Sequence, residues 1–294
     1  MKTGFTFRNK HSSELGLVMV TKSRPILPER RSKPLELPNA DGSMEYAAAN
    51  EYGRAFFKNR TFTVGLCLYA SDIYDMERKL SRVAVWLSGN GRLWFDDMPS
   101  VYWEAAVIGQ IDYAPEQSGT KAVLSVSFDI KPFSAAFFDV LSGPKLGDPV
   151  MLGAHIKLGD ETTFTFSVSG GGSFTVLNAG TAPARPIFII SHNDTTEYAA
   201  PTWTMVCGER SFGYSAKFGP YKSMTIDTEN YTCDASGYAG GSDRMGGFVG
   251  EFFELMPGNN IIDFAGEENI NYTISVSYVP RFIWDADFGG GEDA

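Results

Sequence analysis

Residues 121–130 read KAVLSVSFDI and residues 270–278 read INYTISVSY, and in both the apolar and polar side chains take turns. Ala122, Leu124, Val126, Phe128 and Ile130 fall on one side of the first, with Ser125, Ser127 and Asp129 between them. Ile270, Tyr272, Ile274, Val276 and Tyr278 do the same around Asn271, Thr273, Ser275 and Ser277. A period of two marks a strand with one face on a core and the other in water. Pro132 and Pro280 follow and close the two strands, because proline has no N–H to give a ladder. One such strand in mid-chain and one near the end predict two β domains in tandem, over 1–135 and 136–294.

Working outward, the bulk properties agree. A chain of 294 residues with 43% hydrophobic and 20% charged side chains is long enough for two ordinary globular cores. No stretch has the roughly 18 to 20 successive apolar residues that cross a bilayer, and no apolar segment follows Arg8 and Lys10, so no membrane partner is expected and synthesis in a cytoplasm is. Cys67, Cys207 and Cys233 lie far apart with no CxxC pair, which predicts free thiols rather than a disulfide framework or a zinc knuckle. Charge is uneven: Met1 to Ala135 holds 17 Lys+Arg against 15 Asp+Glu, a net of +2, and Ala136 to Ala294 holds 8 against 20, a net of −12. A near-neutral half meets its own copies with little Coulomb penalty, whereas halves at −12 repel each other. The net of −10 also argues against sequence-specific nucleic-acid binding.

Along the first half, Gly4 to Val20 reads as a hairpin turning near His11 to Ser13. Arg24 to Gly42, with Pro25, Pro28, Pro34 and Pro38 among Arg30, Arg31 and Lys33, reads as an extended basic arm. Thr61 to Tyr69 is strand-like. A helix follows over 72–87, capped by Ser71, with Asp72 and Asp75 in its first turn and Ser88-Gly89 at its end. Ile73, Met76, Leu80, Val83, Ala84 and Leu87 form its inward stripe, and Arg78, Lys79 and Arg82 occupy other faces. Strands are expected at Leu93 to Phe95 and Val101 to Ile111. The second half is strand and turn at sandwich spacing: Thr163 to Val168, Phe174 to Leu177, a fully apolar Ile187 to Ile190, Trp203 to Val206, Ser223 to Thr228, Gly247 to Leu255 and Ile261 to Phe264. The glycine-rich acidic tail 288–294 is expected to be disordered.

Converging chemistry is not legible. His11, His155 and His192 stand alone, with no HExxH and no G-x-S-x-G elbow, so no catalytic residue, metal site or cofactor site is expected. Glu251 and Glu254, three apart on a presumed strand, point to opposite faces and do not pair as glycosidase carboxylates do. Trp203, Phe212, Tyr214, Tyr221, Tyr231 and Tyr238 lie in or near loops, and aromatic faces of this kind serve either a sandwich core or a saccharide site.

Several segments together resemble the distal tail (Dit) protein family of long-tailed bacteriophages, the hub of the tail tip. In the first half these are Pro38-Asn39-Ala40-Asp41-Gly42, the helix Asp72 to Leu87, Leu93-Trp94-Phe95-Asp96-Asp97, Tyr102 to Gly109, and Phe128-Asp129-Ile130-Lys131-Pro132-Phe133. In the second they are Asn178-Ala179-Gly180-Thr181-Ala182 with Pro186, Ile226-Asp227-Thr228-Glu229 and Met256-Pro257-Gly258-Asn259-Asn260. The resemblance implies a mainly β, two-domain chain: an N-terminal β-rich ring-forming domain with one helix, and a C-terminal antiparallel β-sandwich like those of galectins and carbohydrate-binding modules. It implies a non-enzymatic hub, hexameric, in the virion at the tail tip. Its partners would be its own copies, the tail tube protein, a tail-tip or tail-associated protein, a receptor-binding protein and a host-wall saccharide. The ring contacts expected on these terms are Arg30, Arg31, Arg78, Lys79 and Arg82. Saccharide or partner contacts are expected at Trp203, Tyr214, Tyr221 and Tyr238, the alternative reading being a carbohydrate-binding module used in host recognition.

Overall fold

The computed structural model describes residues 4–31, 34–36, 43–45, 56–115, 119–136, 163–193, 201–215, 222–236 and 243–285. They are mainly strand, with one α-helix. They divide into two compact units, one within Met1–Ala135 together with Ile283–Ala286, the other within Ala136–Phe282. Tail residues 288–294 lie outside the described residues.

The first unit is built on an antiparallel sheet in the order Lys10–His11, Phe5–Phe7, Asn90–Phe95, Met98–Ile108, Lys121–Ile130, Arg60–Tyr69, Leu17–Ser23. The alternating stretch 121–130 is an interior strand, paired with Arg60–Tyr69 over its whole length, from Lys121↔Tyr69 to Ile130↔Arg60. The five apolar residues of its inward face are all buried, while Val123 points outward at 42% exposure, and Phe62, Val64, Leu66 and Leu68 face inward from the neighbouring strand. Phe5, Phe7, Phe95 and Trp103 complete that layer, with Phe7 and Phe128 edge-on at 5.3 Å and Phe62 and Trp103 at 5.2 Å. The opposite face carries Ser125 and Ser127, and there Gly65 is needed because a Cβ would stand 2.3 Å from Thr21 Oγ1.

The helix spans Ile73–Leu87, and its cap is Asp72 rather than Ser71: Asp75 N–H donates to Asp72 Oδ1 at 2.8 Å. Its buried stripe is Met76, Val83, Trp86 and Leu87; Ile73 and Ala84 face solvent instead. Trp86 replaces them because its ring stacks on Phe5 at 5.5 Å and its Nε1 donates to Phe7 O at 2.8 Å. The first hairpin also turns earlier than expected, at Arg8-Asn9, both in the left-handed region with φ of 51° and 60°. His11 to Ser13 is instead the entry to a 3-10 turn, Ser12–Leu15, for which His11 is the cap. Leu17–Ser23 then pairs with Arg60–Tyr69, not with its sequence neighbour.

In the second unit, one layer runs Thr232–Ser236, Ser223–Asp227, Ile187–His192, Asn271–Ser277, Phe164–Ser169, and the other runs Gly171–Asn178, Gly258–Gly266, Trp203–Cys207, Arg210–Tyr214, Phe248–Gly250. Only Ser169↔Gly171, at the tip of the hairpin, bridges them along the sheet path. Their inner faces share one core, where Phe188 meets Phe212 and Phe253 at 5.6 Å each. This is an antiparallel sandwich. The second alternating stretch, Asn271–Ser277, is again an interior strand, with Tyr272, Ile274 and Val276 buried. One expectation fails locally: the strand expected over Gly247 to Leu255 is confined to Phe248–Gly250. The apolar run Ile187 to Ile190 is a strand as expected, with Phe188 and Ile190 in the core and Ile189 pointing outward.

Arg60 ends the longest ladder of the first unit and is buried. Its Nη1 donates to Ile26 O at 2.9 Å and Pro25 O at 3.3 Å, and its Nη2 to Ile283 O at 2.8 Å, so one guanidinium ties the arm and the returning C-terminal segment to the sheet. Burial lowers its pKa to about 10, which still leaves it charged at neutral pH. Arg60→Met, with similar length and no donors, is expected to cost roughly 2–4 kcal/mol because three carbonyls lose their partner together. Urea denaturation checks this; an unchanged midpoint would show that water replaces the guanidinium freely.

Candidate functional site

The functional surface is made by exposed side chains and the anchors that hold them. The arm beyond Ser23 is held to the first unit at successive points. Asp97, in the turn between Asn90–Phe95 and Met98–Ile108, accepts from Lys22 Nζ at 2.5 Å and Arg24 Nη2 at 2.6 Å. The Arg24 guanidinium lies 4.6 Å from the Phe95 ring centre. Pro25 and Ile26 give their carbonyls to Arg60, Lys58 N–H donates to Glu29 O at 2.8 Å, and Arg31 N–H donates to Phe56 O at 2.7 Å. Pro28 is buried. What remains outside is an apolar tip, Ile26 at 68% and Leu27 at 61% exposure, followed by the exposed Arg30 and Arg31. The prolines stiffen this tip, so it is presented in one conformation.

Of the expected helix contacts, Lys79 is spent internally, on Asp75 at 2.9 Å and on Tyr69 O at 2.8 Å. Those bonds, with Ser71 N–H, hold Asp75 below the usual carboxylate range. Arg78 makes only a long pair with Asp75, at 3.6 Å, and stays exposed; Arg82 is exposed without an ion-pair partner among the described residues. The structure therefore leaves Arg30, Arg31, Arg78 and Arg82 available, on two separate elements.

The aromatic expectation for the second unit is corrected. Trp203 and Tyr214 are register partners on adjacent strands and are 3% and 1% exposed. Their rings belong to the sandwich core, Trp203 against Phe264 at 6.2 Å, and neither can stack on a sugar. Tyr221 and Tyr238 lie outside the described residues. Among the described residues of this unit, the aromatic that does face solvent is Tyr231, 53% exposed and held in the left-handed region at φ 58°. Arg185 sits 5.4 Å from its ring and pairs with Glu254 at 3.1 Å. Asn230 donates to Asp227 nearby at 2.8 Å, and Arg281 pairs with Glu229. Tyr231 thus carries the aromatic and polar neighbours that a saccharide contact needs. Its type was visible in the sequence, but its exposure was not.

His11, alone in sequence, is not alone in space. Its Nε2 meets Asp96 at 3.1 Å and its Nδ1 meets Ser13 Oγ at 2.6 Å, an arrangement that mimics a Ser-His-Asp triad. The Nδ1 lone pair, however, already accepts Ser13 N–H at 3.2 Å, and Glu14 accepts His11 N–H at 3.1 Å, so this is a reciprocal helix cap. Glu254 is likewise engaged, with Arg185. Cys67, Cys207 and Cys233 are free thiols, and burial pushes Cys233 up to about 12. Among the described residues no group of three or more His, Cys, Asp or Glu is placed to hold a metal ion, and no helix is long and apolar enough to cross a membrane.

Two measurements check these assignments. Partial burial raises the Asp97 pKa, but hydrogen bonds from Lys22 and Arg24 and their charges lower it more, below the ordinary value. Its contribution is therefore complete above about pH 4 and is lost as pH falls through the depressed value. Asp97→Asn is expected to cost about 0.5–1 kcal/mol at neutral pH and nothing at low pH, read from denaturation curves at both. Trp203→Ala is expected to destabilise the second unit by about 3–5 kcal/mol, read by thermal melting. A folded, fully stable variant would return Trp203 to the surface.

No protein-family model matches the sequence, and no curated protein matches it. Among solved structures, the crystal structure of the Dit protein of phage SPP1 is similar, with a TM-score of 0.60 at 11% identity over 95% of this chain and 99% of that one. It is described as a paradigm of the hub adsorption apparatus in phages that infect Gram-positive bacteria. The baseplate of phage p2 in its activated conformation also matches, with a TM-score of 0.40 at 7% identity over 93% and 97% of the two chains. From one end to the other, the chain is similar in fold to the SPP1 Dit protein.

Proposed function

We propose that this chain is a structural hub of a phage tail tip, a non-enzymatic distal tail protein. Six copies would close into a ring through the 1–135 domain, leaving a central passage, with the acidic 136–294 sandwiches worn outside. The ring would join the tail tube protein to a tail-tip or tail-associated protein and to a receptor-binding protein, and its place would be the virion. The observation that carries this reading is the end-to-end likeness of fold to SPP1 Dit. Two further features favour it. The near-neutral half is the one that can approach its own copies, and it bears the anchored arm whose apolar tip, Ile26 and Leu27, faces outward. A closed cyclic interface repeats one such contact at every boundary, which turns modest pairwise energy into a stable annulus.

Light scattering and negative-stain microscopy of the purified protein test it. Annuli are expected, and the double change Ile26→Asp with Leu27→Asp is expected to return single chains that keep the circular dichroism of the folded protein, since both side chains are exposed in the single chain. Protein that remains single, alone and mixed with a tail tube protein, would sink the ring.

A second reading, a saccharide contact on the sandwich, is favoured by Tyr231 beside Arg185, Glu254 and Asn230. Binding of host-wall polysaccharide that falls about ten-fold or more in Tyr231→Ala, a loss on the scale of one stacked ring, is the expected result. Absence of binding by the unaltered protein removes it.

A further inference from the structure

Three cationic side chains of the first unit, Arg8, Lys10 and Arg82, converge on a groove, and of these only Arg82 is among the expected ring contacts. Arg8 is placed there by unusual means. Its backbone and that of Asn9 hold the left-handed conformation, and its side chain lies across Gly89 and Gly91, where a Cβ would come within 2.7 Å and 2.6 Å of Arg8 atoms. Those glycines make the slot, and Arg8 Nη1 donates to Trp86 O at 3.3 Å, in the last helical turn where unpaired carbonyls favour a cation. Lys10 follows the turn and Arg82 projects from the helix; neither has an ion-pair partner among the described residues. With Ser81, Val85 and Trp86 they line an open, shallow groove of about 470 Å³, with no carboxylate among the described lining residues. Val85, 70% exposed, is its accessible apolar side chain, whereas Trp86 is 6% exposed and held in the core by its bond to Phe7 O.

We propose that this groove docks an acidic polypeptide segment of a partner protein that also carries an apolar side chain. Arg82 and Lys10 take its carboxylates, with Arg8 as the fixed charge, and the exposed Val85 takes the apolar group. Charge that would repel on any acidic approach is absent from the lining, so steering and register both favour an anionic peptide. A nucleic acid fits less well: Trp86 is the one ring among the described lining residues and is 6% exposed, so the groove offers bases no stacking platform. This inference goes beyond the ring and stands without it.

The test uses the full chain and a fluorescein-labelled Glu-Phe-Glu-Asp-Phe-Glu peptide, followed by anisotropy, with its Gln/Asn counterpart and an oligothymidylate of equal charge as comparisons. Saturable, salt-sensitive binding of the acidic peptide is expected, weakened about ten-fold by Arg82→Glu, by Lys10→Glu and by Val85→Asp, and unchanged by Lys131→Glu on another element. No saturable binding, equal loss in Lys131→Glu, or tighter binding of the oligothymidylate overturns it. Circular dichroism of each variant shows whether a loss comes from unfolding; should a charge reversal unfold the chain, Arg82→Gln is expected to weaken binding while the fold stays intact, and no weakening there overturns the proposal. Peptide binding by a chain that never forms annuli would keep this site and remove the ring.

Discussion

The first unit depends on one ladder, the continuous antiparallel pairing of Arg60–Tyr69 with Lys121–Ile130. A slip of Lys121–Ile130 by one residue would turn Leu124 and Phe128 out to water and bring Ser125 and Ser127 into the core, so the register is fixed by burial itself. The ladder also sets the position of Arg60 at its final rung, and through Arg60 the carbonyls of Pro25, Ile26 and Ile283. The arm and the returning segment are therefore consequences of sheet register, although they lie far from it in sequence.

From that anchoring comes the difference between charges that hold the fold and charges left for a partner. Lys22 and Arg24 serve Asp97, and Lys79 serves Asp75 and Tyr69. Arg30, Arg31 and Arg82 lie on the surface. All are basic residues in the same half, and composition treats them alike. Distance to a carboxylate or a carbonyl sorts them, and an exposed pair contributes little stability either way. The same sorting separates His11, a cap, from the catalytic histidine that its neighbours imitate.

The sandwich shows the opposite economy. Trp203, Phe212 and Tyr214 occur in short strands beside polar residues, and the strands 203–207 and 210–214 pair so that all three rings face inward. A sandwich of this thickness needs large side chains between its layers, and aromatic rings supply the area. Tyr231, by contrast, sits in a turn whose left-handed backbone directs it outward beside Arg185. Nothing in residue type distinguishes the buried tyrosine from the exposed one.

What the sequence by itself determined is the part governed by local periodicity: the two alternating strands, the amphipathic helix and its acidic first turn, and the β class. These are readable because the faces of a strand or a helix recur at a fixed interval along the chain. Tertiary structure alone decided the choice of Trp86 over Ile73 and Ala84 as helix core, the turn at Arg8-Asn9, the burial of Trp203 and Tyr214, and the convergence of Arg8, Lys10 and Arg82. Each of these depends on a neighbour distant in sequence, as Phe5 and Phe7 are to Trp86 and Gly89 and Gly91 are to Arg8, and exposure is a property of such neighbours rather than of the residue.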